Sequence, residues 1–81
     1  MDEKIVNLLK NQLWYLATCD GGEPNAVPVG FKKVAEDGTL LIGDVFFKVT
    51  LKNLLANANV SISACDAATG EGYQVKGTAE Y

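Results

Sequence analysis

Histidine is absent from this 81-residue chain, and so is arginine: all seven basic residues are lysines. Without histidine the chain lacks the commonest general base, the usual Ser-His and Cys-His pairs, and the commonest metal ligand, so catalysis by side chains alone is not expected. Without arginine there is no planar fork for bidentate phosphate recognition. Any anion must be held by lysine point charges, hydroxyls and backbone amides. Cysteine is scarce too: Cys19 and Cys65 stand far apart, with no Cys-x-x-Cys or metal-ligand spacing, and read as small buried hydrophobes at strand ends. No metal is expected. Neither a signal-peptide pattern nor an apolar run of about 18 residues occurs, which with the cysteine usage predicts a cytoplasmic protein. The net charge of −3 and pI near 4.7 supply no positive field, so neither nucleic acid nor a membrane surface is expected as a partner.

What is there fits one small domain. A chain of this size buries only about 60 to 65% of the surface that its unfolded form exposes. Its stability is marginal, and a cofactor or partner would add to it.

The most informative stretch is Gly43-Asp44-Val45-Phe46-Phe47-Lys48-Val49-Thr50-Leu51-Lys52-Asn53-Leu54. Leu51, Leu54, Leu55 and Ala58 recur at helical spacing, which predicts an amphipathic helix with Thr50 as its N-cap. A helix start leaves amides unpaired and carries partial positive charge, and Lys48 adds a full charge beside it. A lone Lys-x-Thr is more often an ordinary capped helix with an exposed lysine. Here, however, Gly43 allows close backbone approach, and Phe46-Phe47 supply flat apolar surface next to the candidate anion site. The combination suits a ligand with a ring and a phosphate.

The rest of the chain reads as short strands with a helix in front. Asp2 is placed to cap a first helix whose Ile5, Val6, Leu9 and Leu13 share one face and cover a core. Trp14–Cys19 reads as a strand ended by Asp20-Gly21-Gly22-Glu23-Pro24. Residues 25–35 read as a second strand, with Val27, Val29, Phe31 and Lys33 on one face. Pro28 cannot donate to a ladder, so this strand belongs at an edge, and Gly30 leaves room for something to approach; a bulged edge without a ligand accounts for both residues equally well. Asp37-Gly38 predicts a hairpin into residues 39–43, which lack alternation and read as buried on both faces. Val60, Ile62 and Ala64 point inward from a fourth strand, Asp66–Gly72 is a long flexible connection, and a fifth strand alternates from Tyr73 to Tyr81. Five strands and two helices predict a mainly β fold, a small antiparallel barrel, with an open sheet as the competing architecture.

The order of these segments resembles the pyridoxamine 5′-phosphate oxidase-like split-barrel flavoproteins. It is carried by the Trp14-Tyr15-Leu16-Ala17-Thr18 strand, by Pro24-Asn25-Ala26-Val27-Pro28-Val29-Gly30-Phe31, by the Gly43–Leu54 stretch, and by Gly72-Tyr73-Gln74-Val75-Lys76-Gly77-Thr78-Ala79. The resemblance implies a single split β-barrel domain over residues 1–81 that binds FMN, as a homodimer with the flavin near the subunit interface. It assigns the flavin phosphate to Lys48 and Thr50, and the ring and ribityl chain to Pro28, Val29, Gly30 and Phe31 together with Gly43, Asp44, Val45 and Phe46. The family commonly has lysine immediately before the threonine, where this chain has Val49. The family also continues with a further helix and strands, so the chain is expected to be a C-terminally short member or a truncated one, with the barrel incomplete.

The implied activity is that of an oxidoreductase or electron carrier, in which the flavin does the redox chemistry. The alternatives are a non-catalytic flavin-binding module and a structural or interaction domain that binds ligand weakly or not at all. Deazaflavin and haem are the alternative cofactors, because split barrels resemble one another more than their cofactors do. The substrate and the electron donor are not specified by any of these residues.

Overall fold

The computed structural model describes residues 2–43 and 49–80. Helix α1 (Glu3–Asn11) starts where the Asp2 carboxylate accepts from the Lys4 amide at 2.8 Å, as the sequence predicts. The strands follow as β1 (Trp14–Asp20), β2 (Glu23–Val29), β3 (Lys32–Val34) and β4 (Leu40–Ile42); after helix α2 (Val49–Ala56) come β5 (Asn59–Cys65) and β6 (Gly72–Thr78). All pairing is antiparallel. One sheet has the order β2-β1-β5-β6 and the other is the β3-β4 hairpin.

The core lies between the inner face of the four-stranded sheet and the layer formed by the two helices and the hairpin. Leu9, Trp14, Leu16, Val29, Ile62 and Ala64 are buried there, with Ile5, Val27, Val34, Leu40, Ile42, Val60 and Val75 packed around them. Burying Leu9, Leu16, Val29 and Ile62 contributes about 1.5 to 3 kcal/mol each. Trp14 ties α1 to the sheet: its Nε1–H donates to the Leu9 carbonyl at 2.6 Å, which satisfies an acceptor in the last turn of the helix. Lys32 Nζ lies 5.7 Å from the Trp14 ring centroid, within cation–π range.

Several expectations hold. Pro28 is on an edge strand, since β2 has no second neighbour among the described residues. Ile62 and Ala64 point into the core, and their β5 neighbours Ser61 and Ser63 lie on the opposite face. The Asp37-Gly38 turn forms with Gly38 at φ +88°, and Asp37 Oδ1 accepts from the Thr39 amide at 2.9 Å; bonding to the Thr39 backbone and side chain holds the exposed Asp37 carboxyl below its ordinary value.

Others need correction. The second strand is interrupted at Gly30 and Phe31, giving six strands among the described residues rather than five, and the interruption shifts the alternation by one residue. Phe31 is therefore 68% exposed instead of sharing the inward face of Val29, while Val34 turns inward. Strand β4 is not buried on both faces: Leu41 is about half exposed, because the hairpin has the core on one side only. The connection after β5 is fastened rather than loose, with Asp66 N–H donating to the Glu71 carbonyl, Gly70 N–H to the Asp66 carbonyl, and Ala68 N–H to Asp66 Oδ1. Cys65 is exposed and Cys19 half-buried, so only Cys19 approaches the expected burial.

Candidate functional site

Helix α2 already includes Val49, so Thr50 lies inside the first turn and does not cap it. Its side chain turns inward. Thr50 is 2% exposed and its Oγ1 accepts from Asn25 Nδ2 at 3.0 Å. One turn on, Asn53 is equally buried and its Nδ2 donates to Thr18 Oγ1 at 3.0 Å. Thr18 and Asn25 are direct cross-strand partners on β1 and β2. Four polar side chains thus form a square: two from one helix face at i and i+3, two from neighbouring strands.

This square explains why the expected apolar face of α2 is not the one that meets the sheet. Leu55 is 75% exposed and Ala58 is exposed, while Leu51 and Leu54 are half-buried at the flanks. The two fully buried side chains of α2 are Thr50 and Asn53. Buried hydroxyls and amides are costly unless paired, and each of these is paired with a group of the opposite layer, which fixes the rotation and height of the helix on β1 and β2. Sequence reading missed Thr18, Asn25 and Asn53. The available signal was Thr18, a polar residue in phase with the inward-facing Trp14 and Leu16, together with Thr50 and Asn53 three apart on one helix.

The other expected site residues fall into three groups. Phe31 and Gly43 come together at the open end of the β3-β4 hairpin, where the Gly43 amide donates to the Phe31 carbonyl at 2.8 Å. A Cβ on residue 43 would sit 3.0 Å from Phe31 Cβ, so glycine is what lets the chain pass beside this exposed aromatic ring. Pro28 and Gly30 are exposed, Pro28 lying opposite Tyr15 on the sheet face turned away from the core. Val29 is 3% exposed and belongs to the core, so its side chain packs on the scaffold. Asp44, Val45, Phe46 and Lys48 lie outside the described residues.

A separate cleft of about 870 Å³ opens between β4 and the β5-β6 part of the sheet. Its floor is apolar, with Leu16, Ile62 and Val75, and Leu40 and Leu54 form its walls. Among the described residues, none of those expected to bind the cofactor lines it. Among the described residues no group of three or more His, Cys, Asp or Glu converges as a metal site, and no helix is long and apolar enough to cross a membrane.

Comparison with known proteins agrees with this architecture. The family model described as pyridoxamine 5′-phosphate oxidase matches residues 1–81. An uncharacterised protein of Methanocaldococcus jannaschii is 39% identical over 84 residues, covering 100% of this chain and 56% of that protein. The crystal structure of tagged HupZ from Group A Streptococcus superimposes with a TM-score of 0.90 at 30% identity, covering 99% of this chain and 65% of the HupZ chain. A histidine-to-alanine variant of HupZ gives the same TM-score and identity over 98% of this chain and 68% of its own. The chain therefore spans between about half and two thirds of the length of these proteins. With its whole length matched by the family model, and with two helices and antiparallel sheets arranged as in those structures, the chain belongs to the pyridoxamine 5′-phosphate oxidase family and has its split-barrel fold.

Proposed function

We propose that this protein binds FMN and works as a flavin-dependent oxidoreductase or electron carrier. The observation that carries the reading is Thr50, held in the first turn of α2 beside β2 by its bond to Asn25. First-turn amides of a helix have no intrahelical acceptor and favour an anion, and a chain with lysine as its basic residue has hydroxyls, amides and Lys48 with which to hold a phosphate. Phe31, exposed next to Gly43, offers an aromatic surface on the same side of the chain as the Gly43–Thr50 segment begins. When bound, the flavin would supply the one- or two-electron chemistry that these side chains lack. The chain's own residues would bind the phosphate, orient the ring and exclude water from it.

A second reading has its own observation. The Thr50 hydroxyl is buried and already bonded within the protein, as expected of a structural pin in a non-catalytic or interaction domain. Deazaflavin and haem are the alternative ligands under either reading. We also infer a homodimer and a cytoplasmic location. The dimer is supported by β6, an edge strand without a second neighbour among the described residues, whose Tyr73 is 42% exposed.

The visible spectrum of protein purified without added cofactor tests the proposal. Flavin bands, with FMN released on denaturation, support it; a haem band redirects it. A colourless protein that ignores added FMN contradicts it. Reduction by a nicotinamide nucleotide then separates an enzyme from a carrier or a storage module.

A further inference from the structure

We propose that the cleft between β4 and the β5-β6 part of the sheet is a ligand site of its own, separate from the candidate flavin site, and that it takes an apolar molecule carrying an amino group. Its volume of about 870 Å³ is that of a small-molecule site, and its floor and walls are aliphatic, so most of what fills it must be apolar. Gly77 points to an occupant. It lines the cleft in phase with Val75 on the inner face of β6, paired with Val60 in unbroken register. Its φ is not positive, and a Cβ at this position would meet nothing within 4 Å among the described residues. Neither backbone conformation nor crowding within the chain therefore calls for glycine there. Glycine inside a strand weakens it, and it marks a place where something from outside approaches the backbone closely.

The charge around the cleft selects the polar group of that ligand. No lysine lines it; among the described residues Glu80 is its one ionisable lining residue, and Thr39 and Thr78 are its other polar side chains. Both margins are fastened within the chain. Next to Glu80, the Ala79 amide donates to the Ala58 carbonyl at 2.9 Å, and on the other side the Thr39 amide donates to Asp37 Oδ1 at 2.9 Å. A carboxylate held at the margin of an apolar cleft attracts an ammonium group and repels a phosphate or a second carboxylate. An apolar amine satisfies both the lining and the charge.

Octylamine, octanol and octanoate share one chain length and differ in charge, so titrating each into the isotope-labelled full chain below its micellar concentration separates the two contributions. Octylamine is expected to shift the amides of Leu40, Ile62 and Val75 saturably, and to bind roughly two- to fivefold more tightly than octanol, the range for an exposed ion pair. Octanoate should bind weakest. Glu80→Gln, a change at an exposed residue, should bring octylamine down to the level of octanol and leave octanol unchanged. Gly77→Leu puts a side chain into the open space and should abolish binding of all three probes while the spectrum stays that of a folded protein; Gly77→Ala, which fills less, should weaken binding less. Octylamine that gives no saturable shift at these amides, octanoate that binds as tightly as octylamine, or a folded Gly77→Leu protein that keeps full octylamine affinity would overturn the proposal. A wild-type dimer that Gly77→Leu dissociates would overturn it too, because a second copy would then be what fills the cleft.

Discussion

Asn53 on α2 donates through Nδ2 to Thr18 Oγ1 on β1 at 3.0 Å, and both side chains are buried at 4% exposure. The contact fastens a helix to a sheet through polar groups where apolar packing would be usual. Asn53→Ala is therefore expected to destabilise the protein by about 1 to 3 kcal/mol, because the Thr18 hydroxyl loses its buried partner. Thr18→Val combined with Asn53→Leu should cost less than the two single changes added together, since no orphaned group remains. Urea denaturation of the four proteins provides the comparison; strict additivity would argue that the bond contributes nothing.

Ser61 makes the opposite case. Its Oγ is buried between neighbouring strands with no hydrogen-bond partner among the described residues. Replacing it with alanine removes an unsatisfied hydroxyl and should stabilise the fold by about 0.5 to 1 kcal/mol. A rise in melting temperature checks this, and a fall would mean that the hydroxyl is satisfied by water or by another chain in solution.

The sequence made the elements legible wherever one residue had a single physical use. Pro28 marked an edge strand because it lacks an amide proton, and Asp2 and Asp37-Gly38 marked a cap and a turn through local bonds. Alternation of Val60, Ile62 and Ala64 placed the inner face of β5. The break at Gly30 was not legible. Both phases of the stretch from Val27 to Val34 contain apolar residues, so periodicity alone extends one strand through it and puts Phe31 on the wrong side. The buried face of α2 was hidden for a related reason: its leucines form a helical stripe, but the helix is oriented by two hydrogen bonds to residues 25 and 35 positions away in sequence. The family motif was legible as a string; the partners of its threonine were not.

For the phosphate site, Lys48→Ala and Thr50→Val are each expected to weaken FMN binding by about 1 to 2 kcal/mol, the range for charge-assisted hydrogen bonds. Riboflavin should bind weakly and respond to neither change. Unchanged FMN affinity in both variants would move the phosphate elsewhere, with Lys33 and Lys52 the next cations to substitute.

Association is expected to run through the β6 flank. Tyr73 and Gln74 are exposed along β6, and the strand pairs with β5 alone among the described residues. An uncovered edge of this kind pairs readily with another chain, and a small domain gains stability by burying it. Sedimentation equilibrium should return a dimeric mass at micromolar concentrations. A monomeric mass at high micromolar protein, with β6 amides protected from exchange, would contradict this.

A crystal structure of the protein with FMN tests the central claim most directly, because two different places on the molecule compete for the ligand. The account predicts the phosphate at the first turn of α2, within about 3 Å of Thr50 Oγ1, with Asn25 still bonded to that oxygen and the ring alongside Phe31 and Gly43. Flavin lodged instead in the cleft between β4 and β6, with its phosphate away from Thr50 and the α2 amides, would contradict it.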